Sequence, residues 1–547
     1  MVDPTKSRER PAGDELAPAQ SSPAGNLFPA ALLSPACYPH AAARVELIET
    51  HISWVFLAGD YAYKLKKPVR LGFLDFSTLE ARRFYCGEEL RLNRRTAPEL
   101  YLEVVPVAGT PDAPRVGGRG AAIDYALRMR RFAQEALADR IAKQGGLNPG
   151  RIDALAAALS AFHASIPAAQ PEEGFGAPGR VAAPALSNFD EIADLVRDSP
   201  DSPRLARLRD WTSAETARLG SAFAARKHGG FVRECHGDLH LGNIVFLEDR
   251  PVPFDCIEFN PDLRWIDVIN EAAFLFMDLL DHRLEAEAFR FLNAYLEATG
   301  DYAGLGVLRF YCVYRAMVRA KVACIRVRQS HGDASAEEYR GYLDLAESLA
   351  KEARGGLVLM HGLAGSGKTG VSQILLERIG AVRVRSDVER KRLHGLAARA
   401  RTHAPPYAGI YAPEATRAIY HRLEQPARDI VASGRVAVVD ATFLARAERD
   451  RFRSLAGVLG VPCVIASCFA AESTLRRRVA RREAEMNDAS EAGVAVLENQ
   501  LATREPLGPD ELALAIGVDS EAGAEDLHRT LDAVAVRLFG EVAHAPR

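Results

Sequence analysis

From Leu27 onward, short apolar runs with alternating polar positions dominate the first part of the chain. Ser53-Trp-Val-Phe-Leu57 and Tyr61-Ala-Tyr-Lys-Leu65 predict two strands. Apolar positions at helical spacing predict a helix from Thr78 to about Thr96. Tyr101 to Val107 reads as a strand, Gly109 to Gly120 as a hairpin or loop, and Ala126 to Met129 as another strand. The stretch from about Asn148 to Arg226 is mainly helical, interrupted by a Pro/Gly-rich loop near Pro167 to Pro184. Strands are predicted again at Asn243 to Leu247 and Pro253 to Ile257, and long helices follow to about Glu352. A small β-rich part, a mixed centre and a larger helical part predict a two-lobed α+β domain.

Arg354-Gly-Gly356 marks a change of period. After it come a strand (Leu357 to Met360), a glycine loop, a helix, and a strand at Val382 to Arg385. A long helical region precedes strands at Val436 to Val439 and Cys463 to Cys468. That alternation predicts an α/β domain with a parallel sheet covered by helices. The expected division is a disordered tail over 1–24, a first domain over 25–353 and a second over 354–547.

A chain of 547 residues is too long for one hydrophobic core, which agrees with that division. Lys+Arg 69 against Asp+Glu 72 gives a net charge of −3, so there is no global electrostatic reason to expect nucleic acid or a membrane as partner. None of the eight cysteines forms a C-x-x-C pair, and most sit in apolar runs, as reduced thiols of a cytoplasmic protein would. No apolar run approaches a membrane span, and the N-terminus lacks a signal-peptide pattern.

The segment Gly362-Leu363-Ala364-Gly365-Ser366-Gly367-Lys368-Thr369 fits G-x-x-x-x-G-K-S/T between a predicted strand and a predicted helix. Glycines let backbone N–H groups turn inward around phosphates, and the following helix N-terminus adds positive potential. Lys368 can reach the outer phosphates of ATP, and the Thr369 hydroxyl can ligate Mg²⁺. Asp387 and Asp440 end the next two predicted strands, where open α/β sheets hold ligands. Asp387 fits the acceptor side and Asp440 the metal side; helix N-capping is the other reading of each. Arg476, Arg477, Arg478, Arg481 and Arg482 cluster on a predicted helix, with Arg478 and Arg482 on one face. They are either a lid over the transferring phosphoryl group or a solvated helix face.

A second motif, His236-Gly-Asp238-Leu-His-Leu-Gly-Asn243, fits H-x-D-x-x-x-x-N. In that pattern the aspartate takes the proton of an attacking hydroxyl and the asparagine turns back to Mg²⁺. Asp255, in Pro253-Phe-Asp255, is the candidate second metal carboxylate. The β-rich part should supply a phosphate-binding lysine and a helix glutamate that holds it. Lys64 and Lys66 share a strand face, Lys64 deeper in the apolar run, and Glu88 and Glu89 follow on the next helix. Lys64 with Glu89 is the preferred pair. No G-x-G-x-x-G loop precedes Lys64, which departs from ordinary protein kinases.

On these motifs, residues from about 27 to 350 resemble the aminoglycoside phosphotransferase family, which has a kinase-like fold. The resemblance implies Asp238 as catalytic base and Asn243 and Asp255 as Mg²⁺ ligands. Residues 355 to about 540 are similar to the AAA-type small P-loop kinases through Ser386-Asp387-Val-Glu-Arg-Lys-Arg, Asp440-Ala-Thr442-Phe and the arginine cluster. There the resemblance implies that Asp387 is the base toward an acceptor hydroxyl. The order matches a bacterial architecture labelled aminoglycoside phosphotransferase/ATP-binding bifunctional protein. The expectation is a phosphotransferase with two Mg-ATP sites and small-molecule hydroxyl acceptors. Two alternatives stay open: one catalytic domain with a nucleotide-sensing partner, or a second domain acting on a polynucleotide or nucleotide sugar.

Overall fold

A computed structural model describes residues 27–71, 74–196, 200–330, 333–402, 408–485 and 489–540. The tail expected over 1–24 lies outside them. The chain divides into two compact units, 1–132 and 133–547.

The first unit is a six-stranded antiparallel sheet. Its strands are β1 (Val45–Glu49), β2 (Ser53–Ala58), β3 (Tyr61–Lys66), β4 (Tyr101–Thr110), β5 (Ala113–Val116) and β6 (Ala122–Arg130), in the order β1-β2-β3-β6-β4-β5. Helix α1 (Leu79–Asn93) starts where the Thr78 hydroxyl accepts from the Ala81 amide at 3.1 Å. Phe56, Tyr63, Leu65, Val107 and Ala126 form the centre of this unit's core.

In the second unit a short helix over Ala138–Lys143 is followed by the helices α2 (Pro149–Ser165), α3 (Pro178–Leu195) and α4 (Ser202–His228). The loop expected to reach Pro184 ends at Ala177: Pro178 takes the first turn of α3, where its missing N–H costs nothing, and Pro184 lies inside the helix. Strand β7 (Val232–Glu234) follows, then the ribbon β8 (Ile244–Leu247) and β9 (Arg250–Pro253). Glu248 and Asp249, at φ 50° and 62°, make the two-residue turn that right-twisted strands favour. The strand expected over Pro253 to Ile257 is therefore displaced. Its ladder ends at Pro253, and Asp255 lies beyond it at φ 66°. Strand β10 (Trp265–Asp267) pairs with β7, and α5 (Val268–Asp281), α6 (Glu285–Thr299), α7 (Leu305–Ser330) and α8 (Asp333–Ala350) complete the helical part.

The chain then enters a parallel sheet of five strands: β11 (Gly356–His361), β12 (Val382–Arg385), β13 (Val436–Asp440), β14 (Cys463–Phe469) and β15 (Ala515–Asp519). Their order is β12-β13-β11-β14-β15. Helices α9 (Lys368–Ile379), α10 (Ser386–Leu393), α11 (Pro413–Ala432), α12 (Arg446–Leu459), α13 (Glu472–Glu485), α14 (Val494–Thr503) and α15 (Ala524–Phe539) surround it. β13 is buried along its whole length and β11 at every residue before His361, as expected for a parallel sheet covered on both faces.

One hydrophobic core runs from the helical part into this sheet. Helix α6 makes the junction. Phe289, Asn293 and Glu297, four residues apart, turn one face of it toward β12. Asn293 Nδ2 donates to the Ala381 carbonyl at 2.9 Å, and its Oδ1 accepts from the Arg383 amide at 2.7 Å. Glu297 accepts from Arg385 at 3.2 Å, and Arg290 pairs with Glu377 on α9 at 3.0 Å. Asn293→Leu would leave two buried backbone groups at the sheet edge unpaired, costing about 1–3 kcal/mol each. The expected outcome is faster amide exchange over Val382–Arg385 and unchanged exchange in β2 and β3, measured by hydrogen–deuterium exchange.

Candidate functional site

β11 ends at His361, and the chain turns through Gly362–Gly367 into α9, whose first residue is Lys368. Gly362 has φ 142°, and a Cβ there would lie 2.3 Å from the Cys468 carbonyl oxygen, so no other residue fits without displacing backbone. Lys368 Nζ donates to the carbonyls of Gly362 (2.9 Å) and Leu363 (2.8 Å). Burial pushes this amine down from its ordinary value, and the Asp440 carboxylate opposes that push. Thr369 Oγ1 donates to Asp440 Oδ2 at 2.9 Å. A hydroxyl and a carboxylate converging this way form an oxygen donor set that suits Mg²⁺.

These groups line a cleft of about 940 Å³ at the C-terminal ends of β11, β12 and β13. Ala364, Gly365, Gly367, Lys368 and Thr369 face it. Leu363 is buried in a small cluster with Leu475, Val479 and Leu497, while Gly362 and the buried Ser366 lie behind the lining. Asp387 and Asp440 both line the cleft. Asp387 is the second residue of α10, whose N-cap is Arg385, so this acid does not cap the helix. The arginine cluster divides. Arg476 and Arg481 form exposed ion pairs with Glu472 and Glu485. Arg478 and Arg482 turn into the cleft, where Arg478 holds Ser520 Oγ (2.7 Å) and Arg482 the Ala492 carbonyl (2.9 Å).

A second cluster lies in the helical part. The loop from His236 is fixed on three sides: the Gly237 amide donates to Glu271 (2.7 Å), its carbonyl accepts from Arg315 (2.9 Å), and the Leu241 amide donates to Asp278 (2.8 Å). Gly237 has φ 91°, and a Cβ would lie 2.7 Å from the Leu263 carbonyl oxygen. Asn243 Nδ2 donates to Asp238 Oδ2 at 3.0 Å, which leaves its amide oxygen to accept a cation. The Phe254 amide donates to the Asn243 carbonyl at 3.0 Å, which brings the chain just before Asp255 against Asn243. An amide oxygen and a carboxylate on adjoining backbone again suit Mg²⁺. Burial pushes the Asp238 carboxyl up, but His240 at 3.6 Å and Arg319 outweigh it and hold it well below the usual carboxylate range. Asp267 accepts from Arg226 at 2.5 and 2.8 Å and caps α5, a structural position.

In the first unit Glu89 joins both candidate lysines. Its two oxygens accept from Lys64 and Lys66, each at 2.7 Å, while Glu88 pairs with Arg91 at the surface. The Lys66 side chain is 1% exposed and lies over the Phe76 ring, whereas Lys64 is 13% exposed. Burial raises the Glu89 carboxyl, and the two ammonium groups more than reverse it, so its pKa is depressed. Glu89→Gln would remove the carboxylate shared by the buried Lys66 and the half-buried Lys64, an expected loss of about 3–5 kcal/mol in this unit. The wild-type contribution is present above the ordinary glutamate pKa of about 4.3 and is lost as pH falls through the depressed folded value. The gap in thermal unfolding between the two proteins should therefore be full at pH 7 and narrow as pH falls from about 4 toward the folded value of about 2.

Several groups at the parallel-sheet cleft carry no motif of their own. Gln500 on α14 accepts the Ala364 amide of the glycine loop at 2.8 Å. Arg385 lies 3.9 Å from Asp440 Oδ2 while its other end is held by Glu297. Arg390 follows Asp387 by three residues, and only the Ser386 to Arg392 string hinted at it.

A family model described as phosphotransferase enzyme family matches residues 87–311, and one described as AAA domain matches residues 357–507. An uncharacterized protein of Mycobacterium tuberculosis is 30% identical over 456 residues, covering 83% of this chain and 89% of its own length, and one of Mycobacterium bovis matches equally. Among solved structures, a choline/ethanolamine kinase family protein from Mesorhizobium loti is similar over 56% of this chain and 88% of its own, at 13% identity and TM-score 0.35. A gluconokinase from Sinorhizobium meliloti is similar over 34% and 94%, at 22% identity and TM-score 0.24.

Proposed function

Since this chain belongs to a family that joins a phosphotransferase-family domain to an AAA domain, with ATP-dependent phosphotransfer as its chemistry, we propose that it holds two separate phosphotransfer sites. Each passes the γ-phosphoryl group of ATP to a hydroxyl of a small molecule, the first in residues 25–353 and the second in 354–547. The observation that carries the reading is the meeting of Lys368, Thr369, Asp440 and Asp387 in one cleft. All eight cysteines are free thiols, and no helix among the described residues is long and apolar enough to cross a membrane, which supports our proposal of a cytoplasmic enzyme.

In the second site the loop amides of Gly365 to Thr369 and the start of α9 bind the phosphates. Lys368 leaves its two carbonyl partners for the outer phosphates. Asp387 takes the proton of the acceptor hydroxyl, and Arg478 and Arg482 stabilise charge on the transferring group. In the first site Asp238 takes the acceptor proton, held toward it by Asn243. In the first unit Lys64, fixed by Glu89, is the proposed phosphate-binding lysine. Mg²⁺ would be held by Asn243 and Asp255 in one site and by Thr369 and Asp440 in the other, neutralising charge on the phosphates when bound.

The test supplies γ-labelled ATP, Mg²⁺ and a fractionated small-molecule extract to wild type, Asp238→Ala and Lys368→Ala. The reading expects each variant to lose a different labelled product. Loss of the same product by both, or of none by either, would contradict it.

A further inference from the structure

Resting on the second site proposed above, we infer that its acceptor is itself an anion: a small hydroxy compound carrying a carboxylate or phosphate group, held by Arg390 and Arg401. Three observations lead there. Both arginines line the cleft, yet among the described residues neither has a carboxylate within salt-bridge distance. Arg390 is only 7% exposed, and among the described residues its buried Nε has no hydrogen-bond partner, nor have Nε and Nη2 of Arg401. Unpaired guanidinium N–H groups out of water are costly, and a structure that keeps them has a use for them.

The other cations of the cleft are already engaged. Arg385 is held by Glu297, Arg417 by Glu414 and Arg478 by Ser520; Arg482 donates to the Ala492 carbonyl, and its own Nε, without a partner among the described residues, belongs to the phosphate side beside Arg478. Three of the five carboxylates are engaged too, leaving Asp387 and Glu483. Asp440 takes the Thr369 hydroxyl, Glu491 is met by Lys391, Thr402 and Tyr411, and Glu448 lies 3.4 Å from Arg451. Among the described residues seven cationic side chains line the cleft against five carboxylates. The excess is cationic before any anion enters.

The surplus sits on the acceptor side. Arg478 abuts the Gly365 carbonyl of the phosphate loop, whereas Arg390 is three residues after Asp387 on α10 and shares its face. Arg390 is also fixed. Nη1 donates to the Ile410 carbonyl at 2.8 Å, and its guanidinium lies 5.1 Å from the centre of the Tyr411 ring. Its Nε edge is left to meet a carboxylate or phosphate, whose geometry matches the guanidinium fork.

The test uses the full chain as Asp238→Ala, so that only the second site labels, with Asp238→Ala/Lys368→Ala as blank. A small-molecule extract is split at neutral pH into fractions retained and not retained by an anion exchanger, and each is incubated with γ-labelled ATP and Mg²⁺. Lys368-dependent label is expected from the retained fraction alone. Pretreating that fraction with alkaline phosphatase, then removed, assigns the group: loss of label identifies a phosphate ester, persistence a carboxylate, and both support the inference. Arg390→Gln and Arg401→Gln should each raise KM for the retained acceptor about 10- to 100-fold with KM for ATP unchanged. Equal labelling of the unretained fraction, or arginine variants that leave KM for the acceptor unchanged, would overturn it while leaving the kinase reading intact. Absence of Lys368-dependent label from both fractions would overturn the kinase reading and this inference with it. The fractionation result needs no arginine variant to fold.

Discussion

Lys368→Ala is expected to lower kcat of the second site by about 100- to 1,000-fold, the cost of deleting a preorganised cation from a water-poor site. The amine is held 2.9 and 2.8 Å from two carbonyls of its own loop, so it is preorganised rather than recruited from solvent. Burial makes its charge worth more to a phosphate than the charge of an exposed lysine would be. Alanine keeps the first turn of α9, and Lys368 is outside the hydrophobic core, so folding should be spared. Kinetics in an Asp238→Ala background, with thermal unfolding as control, check both halves of the expectation.

Asp238→Asn is expected to lower turnover at the first site by about 100- to 10,000-fold, the contribution of a positioned general base. Asparagine leaves Asn243 an oxygen to donate to, so the loop geometry is retained while the base is lost. The pH dependence gives a second readout. Transfer needs the ionised carboxylate, and His240 and Arg319 hold it ionised well below the usual range. Wild-type turnover should therefore show no acid limb near the ordinary aspartate pKa of about 3.9. His240→Ala removes the nearest of the partners that hold Asp238 down and leaves burial less opposed, so an acid limb should move up into the measurable range. Rate profiles from pH 4 to 8 decide it, provided the first site's product is followed separately.

The local parts of both sites were legible because each rests on short-range physics. The glycine loop, Lys368 and Thr369 must follow one another to wrap phosphates, and Asp440 could be anticipated from its place at the end of an apolar strand. The antiparallel and parallel sheets followed from runs of apolar residues and their punctuation. Asp255 shows where that reasoning slipped. Its neighbours look like a strand, but the ribbon's tight turn at Glu248 and Asp249 ends the ladder two residues earlier and leaves it at positive φ.

The strand Ala515–Asp519 was missed because five residues with a central glycine give no clear alternation. Long-range choices left no local trace at all. The sequence offered Glu88 and Glu89 as neighbours on one helix, and only the packing shows that Glu89 meets both lysines. Nor could helical spacing say what covers the face of α6 carrying Phe289, Asn293 and Glu297. Arg390 and Arg401 stand out only once burial and missing partners are known.

The central claim is that one chain holds two independent ATP sites, and the most direct test is to count them. Titration of the full-length protein with a non-hydrolysable ATP analogue and Mg²⁺ in a calorimeter should give two sites per chain. Lys368→Ala should retain one, Asp255→Ala should retain the other, and the double variant none. A single site in the wild type, or two variants that abolish the same one, would contradict the account.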